Sequence, residues 1–318
     1  MITLSLPKSM LYQIDSTLYQ GLAQDNPGTD FLLISKEVSR QLHYDLTKAI
    51  VAHQKNESCA LFLTTYGGDP HGGYRIARCL RHYYKTVKVL VPSFCKSAGT
   101  MLAIVADELA IGDLGELGPL DIQMTKPAEP SQLGSGLDVM QALDSCAVYA
   151  RTIFDQIFRN ARKNYRVTAK SASEFAAAMT SGLVAPLYGQ IDPLRLGEMQ
   201  RAMSITIEYG RRLDGHSSNL KDGALDQLVM GYPAHGFVID RKEAGMLFNK
   251  VSAFSDAENA VNRVLWDLVG DQTDEGPYFL IPKSPPPSPG VPHGQVATDT
   301  GAEPPPVGQG PAVDAAAS

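Results

Sequence analysis

Two short stretches of this sequence could do chemistry together. The first is "CKSAGT" (95–100), in which Ser97 is followed by Ala98 and Gly99 where an apolar run gives way to a helical pattern. A serine at a strand-to-helix turn holds its hydroxyl beside a helix N-terminus. Unpaired N–H groups and the helix dipole there favour a developing alkoxide or oxyanion. The same placement also suits an ordinary N-cap, a position that serine favours for purely structural reasons. The second stretch is "TTYGGDPHGG" (64–73). Paired glycines after a strand let the backbone take unusual angles and aim amide N–H groups at an anion. A tight turn with close helix–strand packing would use them equally well. Neither stretch is a nucleotide cradle, because no GK[ST] follows and the G-x-G-x-x-G spacing is absent. The GxSxG elbow is absent too. Together the stretches predict an oxyanion hole in which backbone N–H groups of Gly68 and Ala98 surround one carbonyl oxygen, with the Ser97 hydroxyl in attacking position. Cys95, two residues before Ser97, is a rival nucleophile.

The elements around these stretches must hold them in register. "FLLIS" (31–35), "CALFLTT" (59–65), "VKVLVP" (87–92) and "ELAIGD" (108–113) read as short strands, apolar on both faces. Helical patterns fall between them at 37–53, 70–84 and 97–106. That alternation predicts parallel βαβ units with right-handed crossovers. Both glycine-rich sites then sit at C-terminal ends of strands, where open α/β folds place their ligands. The second half is more helical: 138–166 is one long amphipathic run, 171–179 a shorter one with Ser171 and Glu174 spaced as a capping box, and 193–213 a third. These helices are expected to pack on the sheet or against a neighbouring subunit. From Pro282 onward the chain is rich in Pro, Gly, Ala and Ser with almost no large apolar residue. This predicts a disordered tail over 282–318 after a folded part over 1–281. "SPPPSPGVP" in that tail is read as a spacer rather than a docking segment.

Composition bounds the function. The chain has 318 residues, an apolar fraction of 44% and a net charge of −6. It can bury a real core, and it shows no basic footprint for general nucleic-acid binding. The cluster Arg159–Arg162–Lys163–Arg166 is read as a solvated helix face. No run approaches the roughly 20 apolar residues of a membrane span, and the N-terminus is broken by Pro7, Lys8 and Asp15, unlike a signal peptide. A soluble cytoplasmic protein is expected. Its four cysteines (Cys59, Cys79, Cys95, Cys146) have no CxxC spacing and are expected to be reduced. Neither a metal nor a nucleotide is expected as a cofactor.

The stretches "LTTYGGDPHGG" and "VLVPSFCKSAGTMLAIVADELAIGDLGELGPLDIQ" resemble the ClpP/crotonase fold, and within it the serine dehydrogenase proteinase family, related to signal peptide peptidase A. The likeness extends to "PLYGQIDPLR" (186–195) and "YPAHGFVIDRKEA" (232–244). It implies an α/β spiral of ββα units with additional C-terminal helices, assembled as a homo-oligomer, and a serine peptidase acting on polypeptide. It also implies that the nucleophile falls on Ser97 and the oxyanion hole on Gly67 and Gly68.

A serine needs a base, since its own pKa leaves it inert at neutral pH. In the Clp pattern a His follows the serine at the spacing where this chain has Asp121, so the ordinary Clp triad does not carry over. His235, Lys126, Lys170, His71 and His216 remain. A neutral imidazole suits the task at pH 7, and His235 lies in "YPAHGFVID", which puts it first; packing against backbone at a strand start would serve it equally. Lys126 follows "GPLDIQ" closely and could bend back to Ser97, but a lysine is a base only when burial lowers its pKa. His71 sits beside the glycine turn, while Lys170 and His216 read as surface residues. Two further functions stay open. A crotonase-type enzyme acting on acyl thioesters would use paired carboxylates such as Glu116 and Asp121. A ClpP-like oligomeric scaffold would have lost turnover.

Overall fold

The computed structural model describes residues 10–120, 123–126 and 129–283, with backbone alone for 123–126 and 129–139. Asp121 and residues 284–318 lie outside the described residues, while Pro282, expected to open the tail, is the last residue of a strand. The chain runs β1 (Leu11–Ile14), α1 (Ser16–Asp25), β2 (Thr29–Ser35), α2 (Arg40–His53), β3 (Ser58–Thr64), α3 (Pro70–Tyr83), β4 (Thr86–Val91), β5 (Phe94–Cys95), α4 (Ala98–Ile104) and β6 (Glu108–Ile111). It continues with β7 (Glu116–Leu117), the β8–β9 hairpin (Gln123–Lys126 and Glu129–Ser135), α5 (Gly136–Asn164), α6 (Ala169–Tyr188) and α7 (Pro193–Ser217). α8 (Ala224–Met230), α9 (Arg241–Leu247), β10 (Val251–Ser252), α10 (Asp256–Val264), α11 (Trp266–Val269) and β11 (Glu275–Pro282) complete it.

Seven strands form a mixed, mostly parallel sheet in the order β1-β11-β2-β3-β4-β6-β10. β2, β3, β4, β6 and β10 are parallel, as the alternation of strands and helices predicts, while β11 enters antiparallel beside β2. The apolar runs are buried on both faces because helices cover both. Leu32, Ile34, Leu61, Leu63, Val87 and Val89 pack under α2, α3 and α4. Phe31, Leu33, Ala60 and Phe62 pack on the other side against Leu22 of α1 and Val261 of α10. Alternation along each strand splits one continuous apolar run between two cores.

The helices of the second half differ from expectation at their ends. The 171–179 run belongs to a helix spanning Ala169–Tyr188, and its N-cap is Thr168, whose hydroxyl accepts from Ser171 N at 3.1 Å. Ser171 and Glu174 therefore form no capping box: with a better-placed acceptor three residues earlier, Ser171 is inside the first turn. His216 lies in the last turn of α7. Arg159, Arg162 and Lys163 are exposed on α5, as a solvated helix face requires, whereas Arg166 is exposed beyond the end of that helix. Among the described residues no helix is long and apolar enough to cross a membrane.

Candidate active site

β3 and β4 are adjacent and parallel, so the segments leaving their C-terminal ends start side by side. Those segments are the glycine turn and the Ser97 loop. Main-chain hydrogen bonds join them directly: Thr65 N–H donates to Phe94 O at 2.7 Å, and Lys96 N–H donates to Thr65 O at 2.9 Å. A Cβ added to Gly67 would lie 2.7 Å from Ser97 Cβ and 3.3 Å from Ser97 Oγ, so no side chain fits there. Gly67 and Gly68 hold φ of 111° and 135°, angles open only to glycine without strain. At Gly68 a Cβ would come 2.2 Å from Val38 O, because the turn is pressed onto Val38: Val38 N–H donates to Gly67 O at 2.7 Å and Asp69 N–H to Val38 O at 2.8 Å. Those bonds leave Gly68 N–H with no backbone acceptor among the described residues. From the far side Gln272 and Asp271 hold the strand end: Tyr66 N–H donates to Gln272 Oε1 at 2.9 Å, and Tyr66 OH to Asp271 Oδ1 at 2.8 Å. Tyr66 stacks on Phe94 with ring centroids 5.0 Å apart, and it is 49% exposed, so an aromatic platform flanks the turn on its open side.

Ser97 occupies the N-cap position of α4, yet its hydroxyl makes no capping hydrogen bond. Its backbone stands at φ 50° and ψ −117°. This is outside the left-handed well that a non-glycine residue can enter, and such a conformation costs roughly 1–3 kcal/mol. An N-cap serine would sit in the β region and spend its oxygen on the helix amides. Ser97 does neither, so the N-cap account of this serine fails. In α4 the amides of Gly99 and Thr100 turn back to Lys96 O and Ser97 O, which leaves Ala98 N–H without a backbone acceptor among the described residues. Gly99 is forced by its neighbours, since a Cβ there would lie 2.5 Å from Thr65 Cγ2. Cys95 is fully buried and its thiol is pushed up to about 12 by desolvation, which removes it as a rival nucleophile.

The sequence reading missed Lys96. Its side chain is buried, and its ammonium donates to Leu117 O at 3.2 Å and Phe237 O at 3.3 Å while pairing with Glu116 at 2.5 Å. An ammonium has three donors and no acceptor, and all three are engaged. Lys96 is therefore a cross-link between the Ser97 loop, β7 and the 235–239 segment. Gly118 makes room for it, since a Cβ there would strike Lys96 Cδ at 2.6 Å. A type-and-spacing search has no signal for this, because the partners lie 21 and 141 residues away. Thr100 adds a second tie, donating from its buried hydroxyl to Gly118 O at 2.7 Å.

The base candidates separate. His235 is half-buried, in the segment that Lys96 grips at Phe237 and that pairs with Leu117 through Ile239. The fold thus brings its segment to the Ser97 loop from more than a hundred residues away. His71 is in the first turn of α3, where Nδ1 bonds Tyr209 OH of α7 at 2.9 Å. Lys170 is exposed at the start of α6, and His216 is exposed beside Arg78. Lys126 ends β8, and its side chain is not described. Glu116, one carboxylate of the thioester reading, is held by Lys96.

Residues 33–154 match the model of a family described as ClpP-like SDH-type serine proteinase. That segment contains both loops and Lys96; it stops short of "PLYGQIDPLR" and "YPAHGFVIDRKEA". An uncharacterized protein of Methanocaldococcus jannaschii is 28% identical over 108 residues, 34% of this chain and 38% of that relative, so well under half of its length is spanned. Among solved structures, a mutant of the 1510-N membrane-bound stomatin-specific protease is similar with a TM-score of 0.31 and 15% identity, over 46% of this chain and 68% of that one. A ClpP1 mutant from Listeria monocytogenes is similar with a TM-score of 0.24 and 18% identity, over 48% and 82% of the two chains.

Proposed function

We propose that this chain, ClpP-like in its residues 33–154, is a serine endopeptidase that cleaves polypeptide through an acyl-enzyme at Ser97. The observation that carries this reading is the strained backbone of Ser97, uncapped and pressed against Gly67. A fold keeps strain of that kind where surrounding structure forces it, and such positions cluster at active sites. In the proposed reaction Ser97 Oγ attacks the carbonyl carbon of a peptide bond and passes its proton to a base. The oxyanion of the tetrahedral intermediate is held by the N–H groups of Gly68 and Ala98, with Gly67 leaving space for the substrate. The base returns the proton to the leaving amine, and water then hydrolyses the ester by the same steps in reverse order. His235 is our first assignment for the base, supported by its place in the segment tied to Lys96; Lys126 is the second. The strand-end platform of Tyr66 and Phe94 offers an apolar surface to substrate side chains.

We further read the protein as a homo-oligomer outside any membrane, in the cytoplasm. Phe175, Met179, Leu183 and Leu187 form an exposed apolar stripe at four-residue spacing on α6, an area that association would cover.

The test is labelling with a fluorophosphonate probe and peptide mapping, together with hydrolysis of an unfolded protein substrate. Wild type should label at Ser97 and Ser97→Ala should lose both label and hydrolysis; full hydrolysis by Ser97→Ala would sink the reading. Labelling that is lost in His235→Ala but kept in Lys126→Ala assigns the base to His235, and the opposite pattern assigns it to Lys126.

A further inference from the structure

On the face formed by α2, α3 and α7 lies a cavity of about 650 Å³ whose charged and titratable lining is entirely cationic or neutral. Arg75, Arg78 and His82 line it from α3, His43 from α2 and Arg212 from α7, with Tyr74 between them; no carboxylate is in the lining. This is unexpected in a chain of net charge −6. Arg75, Arg78 and His82 lie three and four residues apart, so the helix places them on one face. Arg75 and Arg78 have no ion pair among the described residues, and Arg78 Nη1 sits 3.4 Å from His216 Nε2, another cationic or neutral group. Arg212 is partly engaged, its Nε donating to Glu208 Oε1 at 2.8 Å. The crowding of positive charge is felt by His43, whose pKa is lowered by burial and by the charge of Arg75. A fold gains nothing from holding like charges around one cavity, and such a lining favours an anion.

We infer that this groove is a binding site for a phosphate-bearing anion, distinct from the Ser97 site. Arginine rather than lysine supplies the charge, and the guanidinium fork matches phosphate oxygens in a bidentate way. The volume is within the range of small-molecule sites, roughly 300–1,000 Å³, and Arg75 and Arg78, beside the Glu208-paired Arg212, suit a ligand with more than one negative charge, such as a diphosphate. The back wall is fixed: Tyr74 stacks on Tyr209 of α7 at 4.1 Å and 9°, and Tyr209 OH holds His71 Nδ1 at 2.9 Å. A ligand spanning Arg75 and Arg212 would therefore brace α3 against α7.

The test is calorimetric titration of the full chain with inorganic pyrophosphate. Saturable binding near one per chain is expected. It should weaken roughly ten- to hundredfold in Arg75→Gln/Arg78→Gln, as loss of charge-assisted hydrogen bonds requires, while fluorophosphonate labelling at Ser97 and the circular dichroism spectrum stay unchanged. Arg75→Lys/Arg78→Lys, which keeps the charge but not the fork, should retain part of the affinity and guards against a folding artefact. The inference fails if no saturable heat appears, if the glutamine variant binds as wild type, or if chloride at equal ionic strength competes as well as pyrophosphate does. Titration with phosphatidylglycerol vesicles identifies where the phosphate comes from: binding to vesicles that is lost in the same variant, and tighter than to pyrophosphate, keeps the phosphate site and assigns it to a lipid headgroup.

Discussion

On the proposed reading, Ser97 would join stability and chemistry in one residue. Its backbone angles suit glycine, so Ser97→Gly should stabilise the fold by about 1 kcal/mol while abolishing labelling and hydrolysis; a thermal melt that falls instead would mean the strain is not there. Gly67→Ala should do the opposite. Its Cβ would enter the space of Ser97 Cβ at a φ of 111°, so a loss of about 2–4 kcal/mol in chemical denaturation is expected, with labelling lost as Ser97 is displaced. These residues were legible by type: a serine between a strand and a helix, with a glycine pair on the neighbouring strand. The conformation of Ser97 was not legible, because "SAGT" fits an N-cap equally well. Only the missing cap bond and the angles of the backbone separate the two accounts. Lys96 was illegible for a related reason. A lysine beside such a serine reads as solvated until Gly118, just after β7, is seen to leave a slot for it.

Among the elements, the useful contrast is between strands and helix ends. The parallel strands were legible because runs such as "CALFLTT" are apolar on both faces, which only a sheet covered on both sides can bury. β1 and β11 were not, since "LYQI" is short and "EGPYFLIP" carries a proline, the mark of an edge or a bulge. The start of α6 was misplaced because Ser171 and Glu174 satisfy the spacing rule while Thr168 satisfies the geometry. The element that matters most to the site is the 235–239 segment, and it is held by one side chain from the Ser97 loop. Lys96→Met keeps the length and the burial but leaves Glu116 and two carbonyls without their donor. We expect a loss of about 3 kcal/mol, faster amide exchange over 235–239, and weaker probe labelling; exchange unchanged there would show that the segment is anchored by Ile239 and Leu117 alone.

At the scale of the whole molecule, two predictions follow from burial. Cys59 and Cys95 are both inside the sheet core, and desolvation raises both thiols, Cys95 to about 12. In the unfolded chain a thiol loses its proton near about 8.5. Above that pH the folded state binds more protons than the unfolded one, so stability falls as pH rises, from about 8.5 towards about 12. Melting temperatures should decline over that window, and the decline should be shallower in Cys59→Ala/Cys95→Ala; an identical slope would place the effect elsewhere. The second concerns the α6 stripe. Met179→Glu/Leu183→Glu should lower the mass measured by light scattering, with little change in the melt of the sheet domain; an unchanged mass would remove this face from any assembly. The clamp that steadies the glycine turn adds a consequence in time. Asp271, which receives the hydroxyl of Tyr66, is 205 residues further along the chain, and β11, which completes the sheet between β1 and β2, is later still. During synthesis both loops therefore leave the ribosome long before Asp271 and β11 do. If the proposed peptidase reading holds, the site would be complete only after β11 has docked between β1 and β2.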